Sequence, residues 1–293
     1  MKILLTGVTG YIGQAVMNHL YNCGHVVHGI VRKTVNSSNT ALHYHMLEKN
    51  NSNLVEILRD VKPDIVIHIA SLFLASHTYE KIEELVKSNI TFPTQLLEAM
   101  ASTHVNCMIN TGTSWQHYES EEYNPVNLYA ATKQAFDDIV KYYTEAKSFR
   151  CLTLKIYDSY GPNDPRGKLI SFLDSLASTQ EILDMSPGEQ EINLVHIYDI
   201  CRAFEIAIQQ IKDAEPGFNQ SYGLMSEKSL SLRQLVKFYE EANDCHLNIN
   251  WGGREYRERE VMKPANNLVK LPGWIAEYPL HIGLDKKKRN IQQ

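Results

Sequence analysis

The stretch KILLTGVTGYIG, residues 2–13, constrains this chain more than any other. The apolar run KILLT (2–6) reads as a strand and the amphipathic YIGQAVMNHLYNC (11–23) as a helix, with glycines at positions 7, 10 and 13 around their junction. A strand that enters a helix this quickly continues by a right-handed crossover to a parallel neighbour. Glycines here let the backbone approach a ligand closely, and a helix N-terminus offers unpaired N–H groups with a partial positive charge. The stretch is therefore read as a dinucleotide cradle. Gly7, Gly10 and Gly13 admit a pyrophosphate, and the backbone at Tyr11 and Ile12 faces it. The plainer alternative is a glycine-containing turn that holds nothing.

The pattern repeats through the first 160 residues. Strands are expected at 25–31, 63–70, 105–111 and 151–157, and helices at 80–102 and 128–146. Apolar runs this continuous suit parallel strands buried on both faces. Their alternation with helices implies an α/β fold, a Rossmann-type doubly wound parallel sheet. Beyond residue 160 the periodicity loosens. Helices are expected at 169–178, 197–211 and 231–243, with short strands at 192–196 and 246–251. The division expected is 1–165 for an NADP-binding domain, with 190–212 returning to it, and 166–293 for a smaller, interleaved, mainly substrate-binding portion.

Composition excludes several classes. A formal net charge of −5 gives no electrostatic reason for a nucleic-acid partner. The one basic cluster, Lys286 to Arg289, reads as a solvated tail. The apolar segment 65–75 is too short to span a bilayer and contains His68, so no membrane association is expected. MKILLTGVTG reaches glycine after three apolar residues and does not read as a signal peptide. Five scattered cysteines with no CxxC suggest reduced thiols in a cytoplasmic protein and no metal centre.

Two features point to chemistry. The second strand ends in Arg32 and Lys33 with no acid nearby, where a carboxylate would take the ribose hydroxyls of NAD. A guanidinium there suits the 2′-phosphate of NADP, unless the pair is only a basic surface turn. Tyr129 and Lys133 stand four residues apart on one helix face, following a strand end rich in hydroxyls, NTGTS. An ammonium beside a phenol stabilises phenolate and makes tyrosine usable as an acid or base. Thr113 is placed to hold a substrate oxygen beside it. Taken alone, a Tyr-x-x-x-Lys pair is ordinary helix surface.

TGVTGYIG, PDIVIHIAS, SNITFPTQLLEA, NTGTS, LYAATK, KIYDSYGPND, GEQEINLVHIYDICRA and the YRERE…LPGW…PLHIGL ending occur in this order. Together they resemble the extended short-chain dehydrogenase/reductases of the nucleotide-sugar epimerase/dehydratase group over essentially the whole chain. The resemblance implies that Thr113, Tyr129 and Lys133 are the catalytic triad. It also implies that Ala70, Ser71, Asn89 and Tyr157 line the cofactor with Tyr129 and Lys133, and that the protein is a homodimer. There are departures. Thr113 is followed by Ser114 and Trp115 where dehydratases of the group carry Asp-Glu, so the acid and base for water elimination are missing. Asp158 stands where Asn is common; unable to donate to phosphate, it is expected to accept from a sugar hydroxyl. An arginine often used on the substrate nucleotide is absent near Gly188. Arg257 is expected to meet the substrate diphosphate, its alternative being a surface residue in a charged run.

Within the group, NTGTS and LYAATKQ are most similar to CDP-paratose and CDP-abequose synthases, reductases of bacterial O-antigen sugar synthesis. The activity this implies is NADPH-dependent reduction of the C4 keto group of a nucleotide-linked, CDP by preference, 4-keto-3,6-dideoxyhexose. Tyr129 would give the proton, and Thr113 with Ser114 would hold the carbonyl oxygen. Two alternatives stand beside it: an NAD-dependent nucleotide-sugar 4-epimerase, for which NAD(H) is the second cofactor choice, and a non-catalytic NADP-binding sensor on the same fold.

Overall fold

Seven parallel strands form one sheet in the computed structural model, which describes residues 1–35, 41–179 and 181–291. The first half alternates as follows: β1 (Lys2–Thr6), α1 (Tyr11–Asn22), β2 (Val26–Val31), β3 (His43–Met46), α2 (Leu54–Val61), β4 (Ile65–His68), α3 (Ile82–Val86), α4 (Phe92–Ser102), β5 (Cys107–Thr113), α5 (Leu128–Lys147) and β6 (Arg150–Ile156). There follow β7 (Asp158–Tyr160), α6 (Leu169–Thr179), β8 (Leu183–Met185), β9 (Glu191–Ile192), β10 (Leu194–His196), α7 (Ile197–Lys212), β11 (Asn219–Leu224), β12 (Leu230–Ser231), α8 (Leu232–Asn243) and β13 (Ile249–Trp251). The sheet order is β11-β6-β5-β4-β1-β2-β3. Its order reverses between β1 and β4, the place where ligands bind outside the strand ends of such sheets.

Strand alternation decides which helices cover which face. Ile3, Leu5, Ile67, Ile109 and Leu152 point to one side and pack with α1 and α7 through Val16, Leu20, Phe204 and Ile208. Leu4, Val66 and Met108 point to the other and meet Leu58, Leu97 and Phe136 of α2, α4 and α5. Both faces are thus buried, as the apolar runs require. A third cluster, with Tyr160, Leu173, Met185, Leu235 and Tyr239, lies under α6 and α8 beside the two-stranded pairs β7–β10, β8–β13 and β9–β12.

Three expectations need correction. The helix expected at 80–102 is continuous from Ile82 to Ser102 but carries a π-helical turn at Lys87–Thr91 between α3 and α4. Pro93 is the cause: it has no N–H for the Asn89 carbonyl four residues earlier, and its ring crowds that carbonyl. The sheet also has two edge strands, β3 (HYHM) and β11 (NQSYGL), that hydrophobic periodicity missed. Edge strands are polar, and these are mostly not buried. Finally, the basic tail is not merely solvated. Arg289 is only 3% exposed, pairs with Asp174 and donates to the Gly283 carbonyl.

Candidate active site

The glycine turn is as tight as its sequence demands. Gly7 has φ +78°, and a Cβ there would lie 2.6 Å from the Ala70 nitrogen; on Gly13 it would lie 2.0 Å from the Gly7 carbonyl oxygen. Gly10 caps α1 without a side chain, and α1 has no acid in its first turn. The N–H groups beyond Gly10, at Tyr11 and Ile12, therefore meet neither a capping side chain nor a local carboxylate, and their field favours an anion. These residues fit the pyrophosphate of a dinucleotide.

Thr6 fastens this turn to the exit of β4. Its hydroxyl oxygen accepts from the Ile69 and Ala70 N–H groups, both at 3.2 Å, and donates to His68 Nδ1 at 2.8 Å. His68 is buried and, with Lys133 close by, its imidazole is pushed down to about 3, so it is neutral and free to accept. Asn89, set by the π turn, spends its whole amide on the protein. Its Oδ1 accepts from Leu72 N–H (2.8 Å) and Ser71 Oγ (3.3 Å), while its Nδ2 donates to the Leu72 carbonyl and Thr132 Oγ1, both at 3.0 Å. Asn89 thus acts through the 70–72 segment and α5 rather than by a free polar atom of its own.

The groups expected to react sit where β5 ends and α5 begins. Asn127 caps α5, accepting from Ala130 N–H at 3.0 Å, and its amide also donates to the Leu74 and Ala75 carbonyls. That fixes Tyr129 in the first turn of the helix, with Ser71 hydrogen-bonded to its phenol. Thr113, the last residue of β5, is 8% exposed; its Oγ1 accepts only a long 3.3 Å bond from Trp115 N–H, so its proton can point outward. Phe73 bridges the two sides, with its ring 5.0 Å from Tyr129 and 5.6 Å from Trp115. Behind them Gln116 ties the strand-end turn to α5: it accepts from Thr113 N–H and donates to Gln134 and Asp137, each at 2.9 Å.

The charges differ from the simple expectation. Burial pushes the Tyr129 phenol up to about 12, with only the Ser71 bond opposing. Lys133, 2% exposed, is drawn down to about 8 by burial and partly held up by Asp137. The expected lowering of Tyr129 by Lys133 is thus not found; burial dominates, and Tyr129 is a protonated phenol at neutral pH. Asp137 also faces Lys155 at 3.8 Å and Asn110 at 3.1 Å, and Lys155 meets His117 Nε2 at 2.8 Å.

On the other side of the mouth, Asp158 is half-buried. Burial raises its carboxyl, while the charges of Lys168, Arg166 and Arg257 lower it and Glu260 raises it. The charge of Arg257 thus reaches Asp158, although its side chain is exposed. Arg166 stacks on Tyr11 at 4.5 Å and pairs with Asp164, and Lys168 lies 5.5 Å from the Phe73 ring. Ser114 opens the turn after Thr113. The 114–127 segment is strapped to the C-terminal part by Arg259, which stacks on Tyr118 and bonds Asn124, and by Asn267, which donates to the Ser120 carbonyl.

Two expected residues stand somewhat apart. Arg32 is exposed just past β2 and its charge reaches Glu84; no acid occurs between Val26 and Val35. Tyr157 is buried with its hydroxyl donated to the Ala265 carbonyl, so that group faces the protein. Sequence reading missed Phe73, Gln116, Asn127, Asp137 and Lys168. Asp137 alone carried a usable signal, since it lies one turn beyond Lys133 on the same helix face.

Comparison with known proteins agrees with this architecture. The model of the NAD dependent epimerase/dehydratase family matches residues 3–220. A CDP-abequose synthase from Yersinia pseudotuberculosis is 29% identical, covering 90% of this chain and 92% of its own. One from Salmonella muenchen is 26% identical, covering 97% and 96%. The structure of MoeE5 in complex with UDP-glucuronic acid and NAD superposes with a TM-score of 0.82 at 18% identity, covering 100% of this chain and 98% of that one.

Proposed function

The chain belongs to the NAD dependent epimerase/dehydratase family, and from that premise we propose that it is a nucleotide-sugar 4-ketoreductase of O-antigen sugar synthesis. Its substrate is a nucleotide-linked, by preference CDP-linked, 4-keto-3,6-dideoxyhexose, and its cofactor NADPH. The names of the two curated relatives support the substrate class. The observation that carries the reaction type is the end of β5. Thr113 and Ser114 offer hydroxyls there, and the two positions directly after Thr113, Ser114 and Trp115, hold no carboxylate. Elimination of water needs an acid and a base at that place, whereas reduction of a ketone needs one proton. Tyr129, kept protonated by burial, has that proton to give.

A bound nicotinamide supplies the hydride. Every other requirement falls to the chain. Thr113 Oγ1 donates a hydrogen bond to the ketone oxygen and holds it beside the phenol. As the carbonyl carbon takes the hydride, the oxygen gains negative charge and Tyr129 Oη transfers its proton to it, leaving an alcohol. Lys133, protonated below about pH 8, stabilises the phenolate left behind. Phe73 packs edge-on against the phenol ring, with Trp115 against Phe73 in turn. Arg257 and Lys168 bind the diphosphate as charge-assisted donors, and Asp158 accepts from a sugar hydroxyl. Arg32 pairs with the 2′-phosphate that distinguishes NADPH. As to chain organisation, residues 1–165 with the return of 190–212 serve the cofactor and 166–293 mainly the sugar. The protein works as a cytoplasmic homodimer.

The reading is tested by ligand stabilisation. The melting temperature is measured with NADPH or NADH, each with CDP, UDP, dTDP or GDP. The largest shift is expected for NADPH with CDP. A larger shift with NADH, or the same shift with every nucleotide, would contradict the cofactor or the base. Interconversion of two sugars without added cofactor would instead establish a 4-epimerase.

A further inference from the structure

At the far end of α1 from the glycine turn, three metal-binding side chains converge that the reaction does not use. His19 and Cys23 stand one helical turn apart at the C-terminal end of α1, and Glu205 reaches them from α7. His19 Nε2 lies 3.0 Å from Glu205 Oε2 and 3.6 Å from Cys23 Sγ, and the three donor atoms all fall within 4.8 Å of one another. Tetrahedral zinc holds nitrogen and oxygen ligands at about 2.0–2.1 Å and sulfur at about 2.3 Å, which separates N from O by roughly 3.3 Å and N from S by roughly 3.5 Å. The observed spacings are close to those edges. His25, whose ring feels the charges of both Glu205 and His19 and whose Nδ1 has no hydrogen-bond partner, adds a further imidazole to the same corner.

We infer that His19, Cys23 and Glu205 form a surface site for zinc or a similar borderline divalent cation, with solvent at the fourth position, clamping the end of α1 to α7. Mixed thiolate, imidazole and carboxylate ligation selects such a cation over calcium or magnesium, which take oxygen ligands. Binding releases the Cys23 proton, as a thiolate ligand requires. The site lies roughly 12 to 18 Å along α1 from the dinucleotide turn, given the helical rise, so it is structural and not catalytic.

The test uses the untagged full chain, stripped of metal with a chelator and titrated with Co²⁺ and then Zn²⁺. One equivalent of Co²⁺ is expected to give a thiolate-to-cobalt charge-transfer band, which Zn²⁺ abolishes. Cys23→Ser removes the band, and His19→Gln and Glu205→Gln each weaken zinc by at least about tenfold. Zinc raises the melting temperature of the parent chain but not that of Cys23→Ser. His43→Gln, at the separate histidine stack of β2 and β3, leaves zinc affinity within about twofold. Absence of saturable binding at one equivalent, or a band that survives Cys23→Ser, overturns the site. In that case the three side chains make only an ion pair and a thiol hydrogen bond.

Discussion

The two walls of the active-site mouth are built on opposite terms. On the glycine-turn wall the Thr6 and Asn89 side chains are fully committed to the protein, with the N–H groups at Tyr11 and Ile12 left for a ligand: Thr6 holds Ile69, Ala70 and His68, and Asn89 spends its whole amide on Ser71, Leu72 and Thr132. On the Asp158 wall the charges of Lys168, Arg257 and Glu260 bear on one half-buried carboxyl, and among the described residues no ion pair joins them. The first wall is stiff before anything binds and can position a reacting bond. The second is set up to trade its charges for those of a ligand. Preorganisation serves the transition state, while uncommitted charge serves substrate capture.

That contrast can be broken by substitution. Gly13→Ala strikes the stiff wall at its tightest point, where the added Cβ would lie 2.0 Å from the Gly7 carbonyl oxygen. It should cost about 4 kcal/mol or more and abolish dinucleotide binding; a melting temperature unchanged from the parent would show that the wall yields. Tyr129→Phe, at the seam, should lower kcat by about 10²- to 10⁴-fold while NADPH affinity stays within about twofold. Retained turnover would remove Tyr129 from the chemistry. Arg257→Ala, on the open wall, should raise KM for the nucleotide sugar by roughly ten- to a hundredfold with kcat and melting temperature nearly unchanged. A fall in kcat alone would place Arg257 with the stiff wall instead.

The smallest effect is in pH dependence. Lys133 titrates at about 8, so the reduction rate should be level below that pH and fall above it as the ammonium is lost. The Asp137 carboxylate raises Lys133, and Asp137→Asn should therefore move this alkaline limb to lower pH. Movement to higher pH would contradict the assignment of the limb to Lys133.

The stiff wall was also the more legible in sequence. Gly7, Gly10 and Gly13 must be small for steric reasons that any βα turn of this kind imposes, and Tyr129 and Lys133 are fixed relative to each other by helical periodicity. The central strands were evident because burial on both faces makes them continuously apolar. What periodicity cannot carry is a contact between distant segments. Phe73 meets Trp115 and Tyr129 from a loop, and Gln116 reaches α5 across 21 residues to Asp137. The π turn at Asn89 was foreshadowed by Pro93, but the pattern of apolar residues ran through it. The effect of Lys133 on Tyr129 was misjudged for a related reason: spacing shows which charges are neighbours, not how far each is removed from water. Asp158 and Arg257 stand 99 residues apart in the chain, and only the fold brings their charges together.

The proposed reaction is net reduction at C4 with the proton from Tyr129. The most direct measurement follows the hydrogen. A CDP-4-keto-3,6-dideoxyhexose is turned over with NADPH deuterated at the transferable position, and the product is read by mass spectrometry and NMR. One deuterium at C4 is expected for each NADPH consumed, with no deuterated product from Tyr129→Phe on the same timescale. Product that forms without net consumption of NADPH, or that carries no deuterium at C4, would contradict it.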